Sequence, residues 1–192
     1  NKWAGFPSAA VAWKLSNEEF MKGLKFVNDL KLNFSYGQTG NQGIGSYASL
    51  SKLSVYNYVF GGAIQTGLAN DLFAGPANEK LKWETTSAYN LGLDLTMFNN
   101  RLNLQVEVYK KITDDLLQNL VIPSSTGFET KLVNSGSIQN KGLEITLGGT
   151  VMKNKDFEWK SNFIMSFNRN KILSLSADVR EQYARNISTG DA

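Results

Sequence analysis

The chain has 192 residues, 42% of them hydrophobic and 19% charged, with a formal net charge of +3 and a mean hydropathy of −0.27. Cysteine and histidine are both absent, which excludes disulfides, thiol catalysis, Ser-His-Asp machinery and the usual zinc sites. The mild charge, without a block of five like charges, gives no support to a nucleic-acid partner; no run of 18 apolar residues marks a transmembrane helix, although a membrane barrel exposes only alternate residues to lipid and would not show one.

Period-two alternation predicts six strands. The first, 6–15, carries Ala9, Val11, Trp13 and Leu15 on its apolar phase; the second, 25–37, carries Leu30, Leu32, Phe34 and Tyr36. Ser16 to Leu24 joins them by a short turn. A long connection, 38–83, follows. The third strand, 84–98, has Tyr89, Leu91, Leu93, Leu95 and Met97 in phase, and the fourth, 101–111, has Leu102, Leu104, Val106 and Val108. Asn99-Asn100 between them reads as a two-residue hairpin turn, since Asn tolerates the positive φ such turns need. A second long connection spans 112–140. The fifth strand, 141–152, aligns Leu143, Ile145, Leu147 and Val151; the sixth, 157–169, aligns Trp159, Phe163, Met165 and Phe167. Lys153 to Asp156 turns tightly between them, and residues 170–192 form a third long segment. Six charges lie well inside these runs, namely Lys14, Lys31, Asp94, Glu107, Glu144 and Lys160, and all six fall on the polar phase. A one-residue slip would move every one of them to the apolar face, so register is strongly specified.

Short and long connections alternate strictly, which gathers the short turns at one end of an antiparallel sheet and the long loops at the other. Aromatic residues mark both ends of the spans: Trp3, Phe6, Tyr36, Trp83, Tyr89 and Phe167 at one or the other limit, Trp13, Phe157 and Trp159 near the short turns. Aromatic rings suit two membrane interfaces, where one side of the ring is wet. About ten residues at ~3.3 Å each, tilted ~40°, cover the roughly 25 Å apolar band of an outer-membrane barrel. The expectation is leucines toward lipid and the polar phase toward a wet lumen.

The motifs that could carry chemistry fail on context. GIGSYA (43–48) matches the loose dinucleotide fingerprint, but antiparallel hairpins follow it rather than a helical crossover, and a glycine-rich loop tip is the better reading. Asp114-Asp115 and Glu18-Glu19 are adjacent carboxylates that point to opposite sides of an extended chain, unlike the facing pair of a glycosidase. No catalytic, metal or cofactor-binding residue is assigned.

Several stretches occur together and in one order: LKLNFSYGQTGNQ (30–42), LKWETTSAYNLGLDL (81–95), VYKKITDDLL (108–117), IPSSTGFET (122–130), VNSGSIQNKGLEITL (133–147) and FEWKSNFIMSFNRNKI (157–172). They resemble the C-terminal barrel half of SusC/RagA-type TonB-dependent transporters. The resemblance implies an all-β, antiparallel, up-and-down transmembrane barrel of about 22 strands, of which residues 1–192 would supply about six, without the plug, the TonB-binding segment or the signal peptide. It implies an outer-membrane importer of oligosaccharides or peptides, energised by TonB and covered by a SusD-like surface lipoprotein, with outer-membrane lipid around it, and not an enzyme. Three amides leaving the second strand, Gln38, Asn41 and Gln42, are candidate substrate contacts because an amide donates and accepts together. Tyr56, Tyr58 and Phe73 in the same long loop, which also carries Tyr47 and Phe60, are candidates for stacking on a ligand. The reading from a different class is a soluble β-sandwich acting as an adhesion or carbohydrate-binding module.

Overall fold

A computed structural model describes residues 4–189 apart from 44, 46, 48 and 72–74. The strands are β1 (Ser8–Lys14), β2 (Val27–Asn41), β3 (Leu53–Phe60), β4 (Ala63–Asn70), β5 (Glu84–Met97), β6 (Leu102–Asp114), β7 (Leu117–Val121), β8 (Thr130–Asn134), β9 (Gly136–Lys153) and β10 (Glu158–Leu175), followed by helix α1 (Ala177–Thr189). Six of them form one antiparallel sheet in the order β1-β2-β5-β6-β9-β10. These are the six strands the alternation predicts. Among the described residues no helix is long and apolar enough to cross a membrane, which says nothing of strands.

Register turns each strand's alternation into rows. Val11, Phe34, Leu91, Val108, Leu143 and Phe167 face one another across all six strands. The next row down is Trp13, Leu32, Leu93, Val106, Ile145 and Met165, and below it Leu30, Leu95, Leu104, Leu147 and Phe163. Opposite neighbours in such rows are about 5 Å apart and stabilise the sheet by ~0.2–1 kcal/mol a pair. Among the described residues no layer covers them from outside: Leu91 is 52% exposed, Val108 48% and Phe167 56%. Among the described residues the buried apolar side chains are Leu120, Phe128 and Val179, all outside the sheet.

The reverse face is polar. Its central rows read Asn33, Gly92, Glu107, Glu144, Ser166 and Ser35, Asn90, Tyr109, Gly142, Asn168. Asn90 donates to the Ser35 hydroxyl at 3.3 Å, and Lys31 meets Asp94 at 4.0 Å. Gly142 has no room for a side chain: a Cβ there would lie 2.7 Å from the Tyr109 ring. Ile164 remains the exception, an exposed apolar residue on the polar face.

All three short connections, 15–26, 98–101 and 154–157, lie at one end of the sheet. Asn99-Asn100 belongs to a four-residue loop rather than the predicted two-residue turn, because the last facing pair is Met97 with Leu102. Phe98, Asn99 and Asn100 all take positive φ, of 56°, 55° and 64°. Phe98 is held there by its N–H donating to Phe26 O at 2.9 Å and by its ring stacking on Phe26 at 6.3 Å. The other end has its own aromatic pairs, Tyr36 with Tyr89 at 4.9 Å and Phe6 with Trp83 at 6.0 Å.

The long connections contain structure. Residues 38–83 hold the end of β2 and the hairpin β3–β4, whose Gly61-Gly62 turn has φ of 63° and 77°, the geometry of a two-residue type I′ turn. Residues 112–140 hold β7–β8, and the last segment holds the end of β10 and α1.

A charge set among the apolar rows separates the two faces. Leu93→Arg is expected to cost about 2–4 kcal/mol, the penalty at the midplane of a barrel's outer face. Asp94→Asn, one residue along, removes only the long 4.0 Å pair with Lys31 and is expected to change stability by less than ~1 kcal/mol. Urea denaturation of the assembled protein followed by tryptophan fluorescence checks both.

Candidate functional site

The end of the sheet that carries the long connections is where side chains from separate parts of the chain converge. The β6–β9 ladder does not stop at Asp114. Asp115 takes a φ of 56°, and beyond it Leu116 N–H donates to Gly136 O while Ser135 N–H donates back to Leu116 O at 2.7 Å. So β7–β8 is the β6–β9 pair continued past a bend. Gly136, with φ 155°, is required at that bend, since a Cβ would run into the Ser174 carbonyl of β10.

Asn134 ties the bend to the long loop before β5. Its amide donates to Lys82 O at 2.9 Å and Asp115 O at 2.8 Å, and its Oδ1 accepts from Lys82 N–H at 2.9 Å. Buried Ser135 donates its hydroxyl to Leu116 O and receives Ser176 N–H on its carbonyl. Glu84 makes the second tie, accepting from Leu117 N–H at 2.9 Å and from the Asn41 amide at 2.7 Å. A polar cleft of ≈ 330 Å³ opens beside the bend, lined by Asp114, Asp115, Asn134 and four serines, Ser135, Ser137, Ser174 and Ser176. Helix α1 closes over β7, with Val179 fully buried and Tyr183 OH receiving the Gln118 amide at 3.2 Å.

The structure divides the predicted amide trio. Gln38 lies inside β2 on the parity of Tyr36, where pairing continues to Asn41, and it donates to Ser87 at 3.2 Å. Asn41 lies on the polar parity and is engaged by Glu84. Gln42 follows the strand and is exposed. Tyr56 and Tyr58 share one face of the β3–β4 hairpin with Phe60, while Val55, Val59, Ile64 and Leu68 occupy the other. Both faces are open, with Phe60 74% and Ile64 75% exposed. Phe73 lies outside the described residues, as do Trp3 and parts of the GIGSYA stretch. Asn134, Gly136 and Glu84 went unassigned in the sequence reading, although two of the stretches it singled out contain them.

A wide antiparallel wall, apolar and uncovered on one side, polar on the other, with elaborated connections at one rim, is the architecture of a transmembrane β-barrel segment. The family described as TonB dependent receptor-like, beta-barrel, matches residues 1–191, and the chain belongs to it. TonB-dependent receptor P26 of Formosa agariphila is 42% identical over 175 residues, covering 91% of this chain and 17% of that protein. TonB-dependent receptor SusC of Bacteroides thetaiotaomicron is 35% identical over 189 residues, 95% of this chain and 18% of its own length. The RagAB peptide importer in its open-open state superposes with a TM-score of 0.79 at 33% identity, over 92% of this chain and 19% of that one. The chain is thus of SusC/RagA type and spans less than a fifth of these relatives.

Asn134→Ala removes three hydrogen bonds at the bend and leaves the Asp115 carbonyl short of a partner, a loss of about 1–3 kcal/mol. The expected result is faster proteolysis at residues 75–82 and 115–135 with the wall intact, read by limited trypsin digestion and mass spectrometry. Unchanged cleavage would show that other contacts hold the bend.

Proposed function

We propose that this chain is part of the wall, lumen lining and external loops of an outer-membrane nutrient importer, energised through TonB and working with a SusD-like surface lipoprotein. The observation that carries this reading is the set of continuous apolar rows across six strands with no protein layer over them. Apolar surface of that extent is stable only against a nonpolar medium, and the length of the rows suits a bilayer. A β-sandwich would need a second sheet on this face, and the described residues contain none. The work is transport rather than catalysis, and its substrates are oligosaccharides or peptides; the likeness to SusC and to a peptide importer supports that range without choosing within it.

The long connections lie outside the cell and the short turns in the periplasm, the usual arrangement of such barrels. The β3–β4 hairpin reaches toward substrate and lid. Its Tyr56-Tyr58-Phe60 face offers rings for stacking, and Asn41 and Gln42 stand where the connection that carries it leaves β2.

Topology is tested by single cysteines in the full-length protein. Ser51→Cys and Ser124→Cys are expected to react with an impermeant maleimide on intact cells, and Asn100→Cys and Asn154→Cys only once the outer membrane is breached. Surface labelling at Asn100 would invert the orientation. Replacing residues 53–70 with a short Gly/Ser link is expected to reduce uptake while the barrel still assembles, and Tyr56→Ala with Tyr58→Ala to weaken substrate binding by about 1 kcal/mol per ring, roughly fivefold each. Unchanged uptake after the deletion would remove the hairpin from the substrate path.

A further inference from the structure

One row of the outward face is neither apolar nor neutral. Directly above Val108, Leu143 and Phe167, on the same parity, Lys110 faces Lys141 and Lys141 faces Arg169. One step higher Lys171 faces Gln139, again on that parity. All four cations are exposed. Strands are about 4.8 Å apart, so the three facing cations stand on a stretch of wall about 10 Å wide.

Like charges directly opposite each other across strands repel; on the polar face one such pair is relieved by carboxylates, while Glu107 facing Glu144 has no ion-pair partner among the described residues. On the polar face Lys14 faces Lys31, and each has a carboxylate of its own, Asp29 at 3.2 Å and Asp94 at 4.0 Å. On the outward face Lys110, Lys141 and Arg169 take part in none of the ion pairs among the described residues, which are Lys14–Asp29, Lys22–Glu19, Lys31–Asp94, Lys153–Glu158 and Lys160–Glu158. Along β6, β9 and β10 the outward parity offers a single acid, Asp114, four residues beyond Lys110. Among the described residues no ion pair supplies the counter-charge.

Position says what carries it. In the same row the neighbours of Lys110 are Tyr89 and then Tyr36, their rings in tilted contact at the edge of the apolar rows. Down β10, Trp159 lies ten residues from Arg169. At ~3.3 Å a residue and ~40° of tilt that separation is about 25 Å, one apolar band. The row therefore stands where lipid headgroups begin, with side chains long enough to lay their stems on the apolar edge and lift their charges into the headgroup layer. A phosphate matches it: the Arg169 guanidinium can donate two parallel bonds, and the lysines supply point charges on either side.

We propose that Lys110, Lys141 and Arg169, with Lys171 above them, form a docking site on the outside of the wall for the phosphorylated headgroup of a lipid in the leaflet at the long-loop end. This rests on the outer-membrane reading and adds to it a specific boundary lipid. The test uses the full-length protein extracted from the outer-membrane fraction in a mild non-ionic detergent and analysed by native mass spectrometry. The probes are a monophosphorylated glucosamine-disaccharide lipid, its dephosphorylated form and inorganic phosphate.

The wild type is expected to retain the phosphorylated lipid in preference to the dephosphorylated one. Lys110→Gln with Lys141→Gln and Arg169→Gln is expected to lower its occupancy about tenfold or more through lost charge-assisted bonds. A triple Lys22→Gln, Lys153→Gln, Lys155→Gln variant at the short-turn end is expected to leave it unchanged. Should the first triple variant fail to assemble, Lys141→Gln and Lys141→Arg give the same reading: the first loses occupancy, the second, which keeps the charge, retains it. Equal retention by wild type and the row variants, equal binding of the dephosphorylated lipid, or displacement of the lipid by an equal concentration of inorganic phosphate would each overturn the proposal. Absence of the protein from the outer-membrane fraction would overturn the transport reading with it.

Discussion

Everything in this chain depends on one constraint: the backbone ladder holds six strands in a register that keeps like parity with like. Between Leu30 and Asn41 of β2, and throughout β5 and β6, pairing runs without a bulge. Alternation within a strand therefore becomes continuity across strands. A slip of one residue in β5 would bring Asp94 into line with Leu32 and Val106, and the apolar rows would be broken at their centre. Irregularities occur only near strand ends, at Val27/Asp29, Trp159/Lys160 and Ile172/Ser174. On our account the lipid takes the place of the second layer that a soluble domain would need.

The same ladder builds the rim. Strands that only had to cross an apolar band could stop near Tyr36, Val108 and Leu143, yet β2, β6, β9 and β10 continue several residues further. Beyond the band their pairing holds β7–β8 and α1 above the wall, and Asn134 and Glu84 fasten the loop before β5 to them. The β3–β4 hairpin is the contrasting case. Its two faces are both open and its pairing is with itself alone, which suits an element whose partner is a ligand or a lid rather than the wall.

The six wall strands were legible because burial on one face imposes a strict two-residue period on the sequence. Where that demand ends, so did the reading. Gln38, Thr113 and Asn140 are paired strand residues with nothing in their side chains to say so, because above the apolar rows backbone bonding alone sustains the strand. The β3–β4 hairpin hid for the opposite reason: Val55, Tyr56, Tyr58, Val59 and Phe60 are apolar on both parities, so no alternation appears, although Gly61-Gly62 between such runs is a hairpin signal in itself. Among the described side chains of α1 a single buried position, Val179, is too little to show a helical period. The cation row was invisible in principle, since Lys110, Lys141 and Arg169 each look like an ordinary charge at the end of a strand. Only cross-strand register makes them neighbours.

Site-directed spin labelling tests the central claim, that one parity of the wall meets lipid and the other water. Nitroxides are placed one at a time at residues 90–95 and 103–108 of the full-length protein in its membrane, and their relaxation by oxygen and by a water-soluble nickel chelate is measured. The account expects a two-residue oscillation, oxygen-rich at Leu91, Leu93, Leu95, Leu104, Val106 and Val108 and nickel-rich at Asn90, Asp94, Asn103, Gln105 and Glu107, with the two probes out of phase. Uniform exposure of both parities to nickel, or protection of the leucine parity from both probes, would mean that water or protein rather than lipid lies against those rows.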